Sequence, residues 1–332
     1  MSFLIIGTGQ RVEKLIIPSL IILGKKFYIT GRNEKRLEFL LNKFKLKKEN
    51  VIDFKNLKNK KNEIQKIIIS VKSQAYCEIY KSLLIIFHLK NIKIYIETPI
   101  LPSLKNLILF KKSQFKIAAI EDSYHIPILQ IINKLDKNNK FISKIIFYQS
   151  GYYYHAISQI KKIYRNNYKS ANLTKILNAK CSKFNFDNFF VYITNKRNYH
   201  DCFTIYEFDK FVVIDDQFNL TNKIPIYNKK KYYIKRVFVK GIINSFNLLD
   251  DQNYLIYKYE INVSDIHLNY FNNLDYINQQ NLLSIINIFN QNEKYELIEH
   301  LYDLLAFKIL IRIKYFNILF IKNLFTKIFI NI

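Results

Sequence analysis

Gly7-Thr8-Gly9-Gln10-Arg11 directly follow the apolar run Phe3-Leu4-Ile5-Ile6. A Gly-x-Gly turn between a strand and a helix can cradle a pyrophosphate. The first glycine permits the tight turn, the second removes the side chain that would block the ligand, and the helix N-terminus offers free N–H donors. Val12 occupies the third glycine position of the longer G-x-G-x-x-G pattern, so the spacing alone also suits a turn that holds nothing. Arg32 follows the second apolar run, where an acid would bind a ribose 2′-hydroxyl. It either pairs with a 2′-phosphate or lies in solvent beside a helix N-cap. Ser73 and Gln74 either meet a cofactor's ribose and nicotinamide or cap the helix that starts there. His155 carries an imidazole, a group suited to moving a proton, or it packs among Tyr152, Tyr153 and Tyr154. Tyr124 is an alternative donor.

Other chemistries find no support. His88, His200, His267 and His300 lack metal-ligand spacing, and Cys77, Cys181 and Cys202 form no C-x-x-C pair, so neither a zinc site nor a disulfide framework is indicated. No Ser-His-Asp order, paired carboxylates or G-x-x-x-x-G-K loop points to hydrolysis or phosphoryl transfer. Asp215-Asp216 and Asp250-Asp251 read as turns.

The elements that must position these residues alternate through the first ~120 positions, as in a parallel sheet with helices on both faces. Strands are predicted at Phe3–Ile6, Phe27–Thr30, Val51–Asp53, Lys66–Val71, Ile92–Ile96 and Phe115–Ile120. Helices are predicted at Arg11–Leu23, bent by Pro18, after an Asn33 cap, at Ala75–Phe87 and from near Ser103. Beyond Glu121 the pattern changes. Helices near Ile126–Leu135 and His155–Tyr164 flank a strand at Ile142–Tyr148. Strand-like runs follow at Ile176–Phe184, Phe190–Thr194, Cys202–Phe208, Phe211–Asp215, Tyr232–Lys240 and Tyr254–Ile261, which suggests a largely antiparallel sheet. Gln279–Phe289, capped by Asn278, and Tyr295–Lys314 close the chain as helices. The expected fold is α/β: a doubly wound (Rossmann) dinucleotide-binding domain over 1–121, then an α+β substrate and oligomerisation domain with an open sheet over 122–332.

The chain has 332 residues and a formal charge of +26. Its lysines are spread along the whole length beside abundant Ile, Asn, Tyr and Phe, as AT-rich codons would produce, and dispersed lysine is ordinarily a solvated surface. Lys229-Lys230-Lys231 before Tyr232-Tyr233 is the densest basic–aromatic cluster, and it also reads as a charged loop entering a strand. The charge alone therefore argues for no nucleic-acid partner. Lysines and Arg312 interrupt the apolar run Leu304–Ile332, so it does not read as a span of ~20 apolar residues. The reduced cysteines and absence of a signal-like start fit a cytoplasmic protein.

With this layout, three motifs together resemble the Gfo/Idh/MocA family of nicotinamide-dependent oxidoreductases. They are the opening strand with Gly7-Thr8-Gly9; Ile96-Glu97-Thr98-Pro99-Ile100, placed like the family's Glu-Lys-Pro motif; and Gly151 to His155 before an apolar helix. Tyr295–Ile298 through Leu305 is similar to the family's final helix. The resemblance implies that Gly7, Thr8, Gly9, Gln10, Arg11, Arg32, Ser73, Gln74, Glu97, Thr98 and Pro99 hold the cofactor, with NADP(H) preferred over NAD(H) because of Arg32. It implies that Glu121, Tyr124, His125 and His155 meet the substrate, that His155, Tyr124 and Glu97 serve catalysis, and that the open sheet forms a homo-oligomer. Three departures accompany it. Thr98 stands where the family has its lysine, Ser158 stands where it has an aspartate, and the stretch from Glu121 to His155 is short.

The expected activity is an NAD(P)-dependent oxidoreductase acting on a small carbonyl, sugar or imine. One alternative is a catalytically decayed nucleotide- or ligand-binding member with a regulatory or assembly role. Another is a thiazolinyl imine reductase-like enzyme of natural-product biosynthesis.

Overall fold

The computed structural model describes residues 2–88, 91–98, 109–110, 115–137, 142–149, 153–164, 169–194, 202–216, 224–262, 264, 267–290, 295–313 and 315–317. The chain divides into two compact units, one of residues 1–122 with 269–302 and the other of 123–268 with 303–332. Residues 269–302, assigned from sequence to the second domain, thus pack with the first.

The first unit is built on five parallel strands: β1 (Ser2–Ile6), β2 (Lys26–Thr30), β3 (Ile64–Ile69), β4 (Lys93–Glu97) and β5 (Lys116–Ile120). Their order is β2-β1-β3-β4-β5. Every residue of β1 is buried, as its unbroken apolar run requires of a strand covered on both faces. The predicted strand at Val51–Asp53 is reduced to a single parallel bridge from Val51 to Ile29. Asp53 leaves it at once, its side chain accepting from Lys55 N to start a short 3₁₀ turn.

The first helix does not simply bend at Pro18. A π-helical turn at Val12–Ile16 precedes the α-helix Ile17–Ile22, and the Ile17 amide reaches back five residues to Val12. Pro18 has no N–H to continue the α-helical ladder, and the wider winding accommodates that gap. The helix Glu34–Phe44 begins as its sequence requires, with the Asn33 side chain accepting from Arg36 N.

The returning segment supplies the helix Tyr276–Asn290. Asp275, rather than Asn278, caps it, accepting from the Asn278 amide one turn further in. Phe289 at its far end packs 5.6 Å from Phe3 and edge-on to Tyr95 at 5.3 Å. Beyond it, Glu296 forms an antiparallel bridge to Ala118 of β5, and the Tyr295 carbonyl accepts from Ala119 N.

The second unit is a ten-stranded sheet of β6 (Ile142–Tyr148), β7 (Ser170–Ile176), β8 (Ala179–Asn185), β9 (Phe190–Thr194), β10 (Phe203–Phe208), β11 (Phe211–Asp216), β12 (Lys230–Val239), β13 (Ile242–Asp250), β14 (Leu255–Glu260) and β15 (Tyr315–Asn317). The order is β14-β13-β12-β11-β10-β6-β9-β8-β7-β15. Pairing is antiparallel except between β11 and β12 and between β6 and β9. The predicted strand Ile176–Phe184 is instead a hairpin. Leu177 and Asn178 both take positive φ, at 49° and 61°, which a two-residue turn matching strand twist demands. The helices Ile128–Lys137 and Tyr153–Tyr164 belong to the same unit.

The acidic pairs read as turns divide. The Asp250 carboxylate does organise a turn, accepting from Gln252 N and Tyr254 N. Asp215 does not: it lies buried in β11 and takes both terminal nitrogens of Arg236 at 2.7 and 3.2 Å. Lys230 opens β12, so the lysine cluster is the charged entry to a strand, with Lys229 paired to Glu207 at 3.0 Å.

Phe289 is 2% exposed, and Phe289→Ala should cost about 3–5 kcal/mol. Chemical denaturation should show this as a lowered midpoint.

Candidate functional site

The strand order reverses between β1 and β3, and in an open α/β sheet that is where a ligand crevice forms, outside the carboxyl ends of the strands. Gly7 leaves β1 at this point and Ser70 leaves β3. Gly7 N donates to the Thr30 carbonyl at 2.9 Å, while Ser70 N donates to the Ile6 carbonyl at 2.9 Å. Gly7 has φ +131°, and a Cβ there would lie 2.0 Å from the Ser70 carbonyl oxygen. No other residue fits that backbone.

Gly9 differs in kind. A Cβ built on it meets nothing within 4 Å, so packing does not explain the glycine. It lies exposed beside Gln10 where the helix begins, and the open space over it is what a pyrophosphate approaching the backbone would need.

Two side chains missed in the sequence hold this turn. Arg36 Nε donates to the Thr8 carbonyl at 2.9 Å, and its guanidinium also bonds Glu13. Lys43 reaches the same carboxylate at 2.6 Å. Burial works to raise the Glu13 pKa, but the hydrogen bonds from Lys43 and Arg36 outweigh it and hold the group below its usual range. Arg36 lies three residues after the Asn33 cap, which was the available signal. Arg32 is exposed, and no ion pair or hydrogen bond engages its guanidinium among the described residues.

Ser73 and Gln74 lie in a 3₁₀ turn after β3, and neither side chain caps the helix Tyr76–Ile86. Tyr76 on that helix donates its hydroxyl to the Glu97 carbonyl at 2.9 Å.

Arg11 does not face the solvent as a free cation. Its Nε donates to Glu97 Oε1 at 2.5 Å and its terminal nitrogen bonds Asp122. The helix start is therefore tied to the ends of β4 and β5. Burial opposes the Arg11 charge, but Asp122 and Glu97 overcome this and hold it firmly protonated. Burial pushes the Glu97 carboxyl upward, with Arg11 pulling it back and Asp122 and Glu121 adding repulsion. Glu97 Oε2 is buried without a hydrogen-bond partner among the described residues. Thr98 directs its hydroxyl at the Ile120 carbonyl, 3.0 Å away, with Glu121 Oε2 at 3.3 Å. Asp122 was missed in the sequence although it directly follows Glu121.

The remaining expected site residues lie in the second unit. Tyr124 is half-buried and stacks edge-on with buried His125 at 4.9 Å. The ammonium of Lys162 stands 5.4 Å from the Tyr124 ring. Lys162 belongs to the helix Tyr153–Tyr164, whose first turn carries half-buried His155. Ser158 bonds the His155 carbonyl at 2.8 Å, so its hydroxyl serves its own helix. Pro99, Gly151 and His200 lie outside the described residues. The expected residues thus form one set around the β1 turn and a second around the helix Tyr153–Tyr164.

No protein-family model matches the chain, and no curated protein matches it. Solved structures do. The chain is similar to an oxidoreductase from Thermotoga maritima at 11% identity, with TM-score 0.58 over 96% of this chain and 98% of that one. A putative myo-inositol dehydrogenase from Sinorhizobium meliloti matches at 9% identity and TM-score 0.59, covering 96% and 99% of the two chains. The chain has the Gfo/Idh/MocA fold. The same fold aligns with a super-repressor mutant of Gal80p from Saccharomyces cerevisiae, 10% identical, at TM-score 0.63 over 96% of this chain and 97% of that one. Among the described residues, no group of three or more His, Cys, Asp or Glu could hold a metal ion, and no helix is long and apolar enough to cross a membrane. Cys181 and Cys202 are buried, and burial pushes their thiols up to about 11 and 12.

The two glycines should separate in experiment. Gly7→Ala should unfold the turn and lower the melting temperature sharply, whereas Gly9→Ala should leave stability within about 0.5 kcal/mol. Acid should weaken the Glu13 cluster. Because the folded pKa of Glu13 is lowered, its contribution is present above the unfolded carboxylate value and is lost as pH falls through the folded one. Glu13→Gln should therefore flatten the fall in melting temperature between about pH 5 and 3.

Proposed function

We propose that the chain binds a nicotinamide dinucleotide along the carboxyl ends of β1–β5 and acts as an oxidoreductase on a small carbonyl, sugar or imine. One observation carries this reading: the open space over Gly9, beside a turn whose neighbour Gly7 is fixed by packing. The buried, unpartnered Oε2 of Glu97 supports it, since such an oxygen is costly unless a ligand satisfies it. Oxidoreductases among the solved structures with this fold agree with it.

Gly7, Thr8, Gly9 and Gln10 would hold the pyrophosphate through backbone amides at the helix start. Arg32 would pair with a 2′-phosphate, which favours NADP(H). Ser73, Gln74, Glu97 and Thr98 would line the half of the crevice beyond β3. The bound nicotinamide would supply or accept hydride. Thr98 is a poor acid near neutral pH and its hydroxyl is engaged with Ile120, so the proton at the substrate atom falls to His155, with Tyr124 as the alternative donor. An imine nitrogen is more basic than a carbonyl oxygen and needs less from an acid, which suits a site without lysine.

A second reading is a ligand-binding regulator without turnover. The committed Thr98 hydroxyl favours it, and a Gal80p repressor shares the fold.

Titration with NADPH, followed by assays for its oxidation with carbonyl and imine substrates, separates the two readings. Binding with turnover supports the enzyme, binding without turnover supports the regulator, and no binding removes both. Arg32→Ala should weaken NADPH at least tenfold more than NADH, a difference of about 1.4 kcal/mol. Equal losses for the two cofactors would remove the 2′-phosphate contact. His155→Phe should lower turnover while leaving cofactor affinity within twofold.

A further inference from the structure

β14 ends the sheet of the second unit and pairs only with β13 among the described residues. An edge strand presents a row of N–H and C=O groups that another strand can take up, and proteins ordinarily blunt such a row with a bulge or with charge. Both devices are present here, and neither closes the edge. The bulge lies at the start: Leu249 is opposite Leu255 and Leu248 opposite Tyr257, so Ile256 is the extra residue. Leu255 and Ile256 remain exposed. From Tyr257 to Glu260 the register against β13 is unbroken.

One bond fixes which way this segment directs its main chain. Ile261 N donates to the Asn244 carbonyl at 2.9 Å, so Ile261, Tyr259 and Tyr257 turn their main-chain groups toward β13. Alternate residues of an antiparallel ladder face the other way. The N–H and C=O of Lys258 and Glu260 are therefore directed out of the sheet. The Tyr257 face is occupied, with Lys134 of the helix Ile128–Lys137 standing 3.9 Å from its ring. Lys258 and Glu260 share the other face; both are exposed, and they form an ion pair at 2.6 Å.

The charges select what can pair there. A row of one sign would keep two copies of the chain apart. Here the signs are opposite and two residues apart, so the pattern complements itself when a second copy runs the other way. With Tyr259 on a two-fold axis, Lys258 comes opposite Glu260 of the second copy and Glu260 opposite its Lys258. These are the outward-facing residues, so each pair can exchange both of its main-chain hydrogen bonds while its side chains attract across the strands. Tyr259 then meets its own copy in the closer, non-hydrogen-bonded type of pair. Moving the axis to Lys258 sets lysine on lysine, and moving it to Glu260 sets glutamate on glutamate, both of which are unfavourable.

We infer that β14 is a self-association edge, at which two copies of the chain join β14 to β14, antiparallel about Tyr259, into one continuous sheet. This is pairing through the edge of the sheet, distinct from the oligomer through its open face expected from sequence. It stands apart from the cofactor reading, since β14 carries none of the proposed site residues.

Sedimentation velocity of the full-length chain over a concentration series tests it, at low salt because exposed charges are screened. Wild type should show a reversible monomer–dimer equilibrium. Lys258→Glu and Glu260→Lys should each weaken the dimer at least tenfold, while the melting temperature of each stays within about 2 °C of wild type. An equimolar mixture of these two variants should dimerise again, because each supplies the charge that the other lacks. The chain carrying both exchanges should dimerise as wild type does. Wild type that stays monomeric throughout the series would overturn the inference. So would a dimer that neither variant weakens, which would place association on another surface, or a mixture of the two variants that stays monomeric.

Discussion

The contact between Gly7 and the Ser70 carbonyl is the constraint on which the first unit depends. The chain leaves β1 and β3 at nearly the same point, and the two strand ends approach until no side chain fits between them. A hydrogen bond on either side completes the arrangement, Gly7 to Thr30 and Ser70 to Ile6. With β2, β1 and β3 locked at one level, Thr8 and Gly9 are lifted above the sheet and the helix must start where it does. Arg36 then closes the turn from the side by bonding the Thr8 carbonyl. The crevice is therefore a product of backbone proximity first, and its side chains are arranged around a position already set.

Electrostatics adds a second layer on the opposite side of the turn. Arg11 joins the helix start to Glu97 and Asp122, two residues from different strand ends. An arginine suits this position because its planar fork can satisfy two carboxylates at once while staying charged. Glu97 keeps its buried Oε2 without a hydrogen bond among the described residues, so Arg11 engages only one of its two oxygens. Thr98 is neutral, so the positive charge of this region lies on the Arg11 clamp.

Much of the first unit was legible because its signals are local. Unbroken apolar runs gave β1 to β5 within a few residues, and Asn33 announced its helix. Val51–Asp53 misled because two apolar residues, Val51 and Ile52, are too few to sustain pairing once Asp53 turns the chain. The second unit was harder. Its turns use Leu177-Asn178 and Lys240-Gly241 at positive φ, and only the second contains glycine, so Ile176–Phe184 looked continuous. Asp215 resembled a turn residue because its partner Arg236 is far along the chain, and no local pattern reveals such a pair. The same limit hid Asp122 and Lys162 from the site, since their roles arise from neighbours that folding supplies. Glu97, Thr98 and Glu121 were singled out by a motif, and they do adjoin, but the motif gave no hint that Arg11 would occupy Glu97.

The return of residues 269–302 to the first unit bears on how the molecule is made. Phe289 closes against Phe3, a contact between nearly the first and nearly the last parts of the described chain. Phe3 therefore waits through the synthesis of β6 to β14 before its aromatic cover arrives. Until then the face of β1 and β4 that meets Phe289 is bare, and an exposed apolar sheet is a site for chaperones or for misassociation. Because the closing contact spans so long a stretch, it is reached late and at a high loop-closure cost. The hairpins of the second unit join residues close in sequence, so they can form before Phe289 reaches Phe3.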